Sequence, residues 1–67
     1  MKTLVLSYSP TARAWVAESH IDGQPDPELL DLLGSHILPT PFTADACGKD
    51  VLREISRLNP QALVTLA

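Results

Sequence analysis

The stretch that decides the fold is Thr3–Ser19, TLVLSYSPTARAWVAES, in which two strand-forming runs flank a short polar turn. The first run, Thr3–Ser9, is rich in β-forming residues at its centre, and Pro10 ends it by removing a backbone donor. Because only the three residues Pro10–Ala12 separate this run from the second one, the stretch predicts a β-hairpin.

The alternation of side chains in the second run assigns them to two faces of the predicted sheet. One face receives Ala14, Val16 and Glu18, and the other receives Arg13, Trp15, Ala17 and Ser19. We expect Trp15 to supply the largest apolar area of the core, and Tyr8 to contact it across the strand pair.

A short helix is predicted after the hairpin. Asp22–Pro25 has the composition of a turn, Asp26 can cap a helix, and Pro27 suits the first helical position. We expect this helix to end at Leu33, because Gly34 suits the left-handed conformation that commonly follows a helix. Residues 35–42 then form either one short edge strand or an extended loop, since the prolines in this segment exclude a central strand.

A second helix is predicted near the C-terminus, where Asn59–Pro60 ends it. Its apolar positions are Val51, Leu52, Ile55 and Leu58. Its start has two interpretations: either Thr43 caps a separate turn and Gly48 interrupts the run, or one helix extends from Ala44 through Gly48. Leu63–Leu66 is typical of a final strand.

The order of elements, β-β-α-(β)-α-β, predicts an α+β fold built as a two-layer sandwich, with helices packed on one face of the sheet. The helix before the last strand favours a crossover that brings this strand beside an earlier one. A chain of 67 residues has room for one core, so residues 1–67 are expected to form a single domain. Such a small core leaves marginal stability, which favours self-association.

Composition narrows the functional classes. The net charge of −3 argues against a dedicated nucleic-acid binder, and no lysine or arginine occurs between Arg13 and Lys49. A single cysteine excludes an intrachain disulfide. The apolar run near the N-terminus is too short for a signal peptide, and no stretch is long enough to span a membrane, so we expect a soluble cytoplasmic protein.

The residues suited to metal binding or catalysis form no recognisable motif. His20, Asp22, His36 and Cys47 contain no closely spaced ligand pair, so we expect no metal site and no cofactor. Cys47 precedes the second helix, where a thiol can become a nucleophile, but nothing in the spacing places either histidine beside it. We therefore expect an inert cysteine and a protein that is not an enzyme.

Charged residues suggest two surfaces. The carboxylates of the middle segment predict a solvated acidic face; they are Asp22, Asp26, Glu28 and Asp31. On the second helix Lys49, Arg53 and Arg57 recur every four residues and form a basic ridge. This ridge is either an ion-paired solvent face, with Asp50 and Glu54 beside it, or a docking surface for an acidic partner or RNA.

The first helix has more leucines than its own core requires. Leu29, Leu30, Leu32 and Leu33 surround more than half of a helix of about two turns. Either most of them enter the core, or two of them, Leu29 with Leu32 or Leu30 with Leu33, remain exposed as an interface. We take these four leucines as the candidate interface.

The hairpin Ser7–Ala17 resembles the opening of the HicB-like antitoxin domains, and Phe42–Ala46 and Asp50–Ile55 are similar to the segment that leads into their single long helix. The resemblance covers about half of the chain. It implies a partial ribonuclease-H-like fold and a non-catalytic domain that binds a partner protein. The helix Pro27–Leu33 is an addition to that pattern.

Four hypotheses about function follow. The first is a small non-enzymatic protein-interaction module, a homodimer or higher oligomer formed through the leucine helix. The second is an antitoxin-like or inhibitor protein whose acidic middle segment covers a basic partner. The third is a weak nucleic-acid accessory protein that uses the basic ridge, and the fourth is an enzyme or redox protein that uses Cys47.

Overall fold

The computed structural model describes residues 1–67, which form one mixed five-stranded sheet and two helices. The elements are β1 Lys2–Ser9, β2 Ala14–Ile21, β3 Gln24–Pro25, α1 Pro27–Leu33, β4 Ile37–Pro39, α2 Gly48–Leu58 and β5 Ala62–Leu66. β2 lies between β1 and the short strands β3 and β4, and β5 lies on the far side of β1. The α+β class is therefore confirmed.

The N-terminal hairpin has the predicted pairing. β1 and β2 are antiparallel, with Tyr8 opposite Trp15. Their ring centroids are 6.1 Å apart and the rings are inclined by 74°, an edge-to-face contact that aromatic pairs favour. Arg13 closes the turn with φ of 55°, in the left-handed region. The contact predicted between Tyr8 and Trp15 is confirmed.

A second, shorter hairpin replaces the simple turn expected at Asp22–Pro25. Asp22 and Gly23 have φ values of 50° and 83°, and a two-residue hairpin loop with positive φ at both positions matches the twist of its strands. Gln24 therefore returns opposite Ile21 and begins β3. The Asp-Gly pair signals this hairpin, but two residues of strand are too few to produce a detectable alternation.

The outer edge of β2 is shared by two segments that diverge at Ser19. The backbone N–H of Ser19 donates to the carbonyl of His36 at 2.8 Å, whereas its carbonyl accepts from the N–H of Asp26 at 3.0 Å. The segment with two interpretations thus contains a strand, Ile37–Pro39, which pairs with β2 at this edge. α1 connects the two segments beside the edge.

β5 runs parallel to β1, as the predicted crossover requires, and α2 is the connecting helix. α2 begins at Gly48 after a separate turn, in which the N–H of Ala46 donates to the backbone carbonyl of Thr43. A single helix from Ala44 is therefore wrong, and Gly48 is the first residue of α2 instead of an interruption in it. Gly48 lies under Trp15, where a Cβ atom would be 3.4 Å from the indole. Neither helix has the length and apolar character that crossing a bilayer requires.

The core lies between the sheet and α2 and is small. Its buried apolar residues are Leu4, Leu6, Ala17, Val51 and Ile55. Trp15 packs against them while only half-buried, and its buried Nε1 atom has no hydrogen-bond partner. Of the two helices, α2 contributes buried residues to the core and α1 contributes none. The helical layer, which we expected to contain both helices, therefore consists of α2 alone.

Candidate interaction surface

The helix α1 is held by its caps and by one buried contact with β2. The Asp26 carboxylate accepts from the N–H of Glu28 at 3.1 Å and from the hydroxyl of Ser19 at 2.9 Å. Both Ser19 and Asp26 are buried. Gly34 ends the helix with φ of 70°, and its N–H donates to the carbonyl of Leu30. The predicted caps are present, and the Ser19 contact anchors the start of α1 to the sheet.

The leucines of α1 are largely exposed. Leu32 is 79% exposed, Leu33 55% and Leu30 42%, while Leu29 is half-buried. The sequence left open whether most leucines enter the core or two stay outside, and the structure leaves three outside. A seven-residue helix is too short to be stable by itself, so its anchorage at Asp26 is what keeps these side chains in place. The result is an apolar surface that this chain does not cover.

The charges near this surface are acidic. Glu28 and Asp31 lie on α1 itself and are exposed. The expected acidic face is otherwise divided, because Asp26 is buried and the exposed Asp22 pairs with the N-terminal amine of Met1. The exposed leucines therefore have carboxylates beside them on the same helix.

The basic ridge on α2 is mostly ion-paired. Arg53 donates to Asp50 at 2.7 Å and Arg57 donates to Glu54, each three residues apart on the exposed helix face. The hydrogen bond from Arg57 lowers the pKa of Glu54, with help from the positive charges of Arg57 and Arg53, and Glu54 in turn raises the pKa of Arg57. Lys49 is the cation of this ridge that forms no ion pair.

A cluster absent from the sequence predictions lies on β2 and at the entrance to β4. Glu18, His20 and His36 place their ligand atoms within 4.8 Å of one another. Glu18 and His20 are two residues apart on a strand and therefore share a face, and strand pairing brings in His36. The Glu-x-His spacing was a usable signal, but no local pattern links either residue to His36. The other residues considered for metal binding, Asp22 and Cys47, lie outside this cluster.

Cys47 occupies the N-cap position of α2, with its side chain exposed and without a capping hydrogen bond. Neither histidine is grouped with it, since both belong to the cluster with Glu18. The side-chain hydrogen bonds of the protein include none between Cys47 and a histidine, the contact by which a base activates a nucleophile. The expectation of an inert thiol stays a prediction.

Two open grooves occur on the surface. One, of about 230 Å³, separates α2 from β4 and is mainly apolar. The other, of about 500 Å³, lies where α2 is followed by β5, around Asn59 and Pro60. Neither groove is lined by a histidine, a cysteine or a carboxylate. The exposed leucines of α1 lie outside both grooves.

Comparisons with known protein families, with curated proteins and with solved structures find no match to this chain. The resemblance to HicB-like antitoxin domains consequently stays a prediction.

Proposed function

We propose that this chain is a small non-enzymatic protein-interaction module that forms a homodimer through α1. The observation that carries the proposal is that α1 buries none of its residues and exposes Leu30, Leu32 and Leu33. Leu30 and Leu33 are three residues apart and share one face of the helix, and exposed apolar side chains of this kind are typical of a surface that another protein covers.

The small size of the core is an argument that the domain gains stability from a further apolar contact. Only 7 of the 67 residues are buried, and five of these form the apolar core. Domains of this size usually obtain further stability from a metal, a disulfide or a second subunit. The chain has a single cysteine, so no disulfide within it supplies this stability.

The partner we propose is a second copy, because a two-fold axis lets the same leucine surface cover itself. Six leucines would enter such an interface, and burying them contributes on the order of 10 kcal/mol, against a cost of association of about 4–15 kcal/mol. These two terms nearly cancel, so we expect a dimer that dissociates on dilution.

The acidic residues of α1 determine how the proposed homodimer should respond to salt. Two copies that meet through α1 bring Glu28 and Asp31 near their counterparts, and no lysine or arginine of α1 offsets this repulsion. Added salt screens such charges. The homodimer should therefore become tighter as the salt concentration rises.

Sedimentation velocity over a series of protein concentrations tests the proposal. We expect the native chain to dimerise and the double variant Leu32→Glu/Leu33→Glu to remain monomeric with an unchanged circular dichroism spectrum. Leu58→Glu is the matched control, because Leu58 is 58% exposed but lies on α2. A native chain that stays monomeric at high concentration, or a double variant that still dimerises, refutes the proposal.

A second candidate is an antitoxin-like or inhibitor protein that covers a basic partner. It is favoured by the carboxylates beside the exposed leucines, and it agrees with what the HicB-like resemblance implies. Salt separates the two candidates, since binding to a basic partner weakens as salt rises whereas the homodimer tightens. The third hypothesis, nucleic-acid binding, is not favoured, because Arg53 and Arg57 already pair with neighbouring carboxylates.

A further inference from the structure

Three side chains suited to metal binding converge where the two segments diverge from β2. Glu18 and His20 alternate with the buried residues Ala17 and Ser19, so both lie on the sheet face opposite the core. His36 reaches them from the segment that enters β4. The three residues thus meet without using any part of the leucine surface.

The backbone keeps the two segments together. The N–H of Ser19, which lies between Glu18 and His20, donates to the carbonyl of His36 at 2.8 Å. The side-chain hydrogen bonds of the protein involve neither imidazole ring. Because an imidazole binds a metal through a nitrogen lone pair, both rings are available as ligands.

The distances suit a transition-metal ion. His20 Nε2 lies 3.7 Å from Glu18 Oε2, and the ring centroids of His20 and His36 are 5.2 Å apart. A tetrahedral zinc ion with bonds of about 2.0–2.2 Å holds its ligand atoms about 3.4 Å apart. The ligand atoms of the cluster lie within 4.8 Å of one another, so rotation of the partly exposed side chains brings them to this spacing.

We propose that Glu18, His20 and His36 bind one divalent transition-metal ion, and that zinc fits these ligands best. Two imidazoles and one carboxylate form a nitrogen and oxygen donor set that zinc accepts, whereas calcium and magnesium prefer oxygen donors alone. Three protein ligands leave the fourth tetrahedral position to water. The ion would join β2 to the entrance of β4 and so stabilise the outer edge of the sheet.

Isothermal titration of the metal-free protein, prepared without a histidine tag, with zinc chloride tests the site. We expect one zinc ion per chain, and binding at least tenfold weaker in each of Glu18→Gln, His20→Gln and His36→Gln. Cys47→Ser is the control and should bind zinc as the native chain does. With cobalt in place of zinc, the absorption spectrum should lack the charge-transfer band of a bound thiolate.

Two further measurements test the site even if a substitution of a ligand prevents folding. In the native chain, zinc should shift the imidazole NMR signals of both His20 and His36. Binding should also persist in the Leu32→Glu/Leu33→Glu variant, which separates this site from the proposed dimer. Absence of saturable zinc binding, unchanged binding in His36→Gln, loss of binding in Cys47→Ser, or one ion per two chains would each overturn the proposal.

Discussion

Replacing Asp26 by alanine is the sharpest test of how α1 is held. The Asp26 carboxylate caps the helix through the N–H of Glu28 and also accepts the hydroxyl hydrogen bond of Ser19 inside the protein. Loss of an N-cap costs about 1 kcal/mol. Loss of a buried hydrogen bond to a charged group costs about 1.5–3 kcal/mol, because the Ser19 hydroxyl then stays buried without its partner.

We therefore expect Asp26→Ala to lower the free energy of unfolding by about 2.5–4 kcal/mol. That is a large share of the total, since a chain of 67 residues has about 3–10 kcal/mol of stability. Asp26→Asn should lose less, because asparagine also caps helices and its amide oxygen can accept from Ser19. Asp31→Ala is the matched control, since Asp31 is exposed on the same helix, and its effect should stay within about 0.5 kcal/mol.

Urea unfolding, followed by circular dichroism and by the fluorescence of Trp15, measures these differences. All variants are compared at one protein concentration, because a dimer makes the apparent stability depend on concentration. If Asp26→Ala is no more destabilised than Asp31→Ala, the buried contact between Asp26 and Ser19 does not anchor α1, and the reasoning fails.

Two further predictions concern α2. Gly48→Ala should raise the free energy of unfolding by about 0.4–1 kcal/mol, because the added methyl group contacts Trp15 at an ordinary distance and the unfolded chain loses conformational freedom. If urea unfolding shows that the variant is less stable, the indole of Trp15 must pack closer to α2 than a methyl group permits. Arg57→Gln should raise the pKa of Glu54 towards its ordinary value in an NMR titration, with Arg53→Gln as the smaller comparison. The pKa of Glu54 is lower in the native protein than in the unfolded chain, so the stabilisation by this pair is present above the unfolded pKa and disappears as pH falls through the native pKa. If the pKa of Glu54 does not change in Arg57→Gln, the ion pair is contradicted.

The local features of the fold could be predicted because the interactions that create them are between near neighbours in the chain. The turn after Pro10 joins adjacent strands, Asp26 bonds to an N–H two residues away, and Gly34 supplies its own left-handed conformation. Side-chain alternation likewise placed Ala17 and Ser19 on the buried face. The leucines of α1 were identified as a candidate interface because a helix of two turns contains more of them than its own core requires.

Features that depend on distant pairing needed the tertiary structure. The backbone of Ser19 bonds to Asp26, which follows it by 7 positions, and to His36, which follows it by 17 positions. No local pattern in the sequence specifies such distant partners. The same pairing places α1, which connects β3 to β4, at the outer edge of the sheet, and α1 buries none of its residues there. It also brings His36 to Glu18 and His20. The sequence by itself thus determined the first hairpin, the two helices, the last strand and the caps of α1, which depend on local hydrogen bonds and periodicity. Only tertiary pairing decided the short strands of the outer edge and which surfaces and ligands the elements present together.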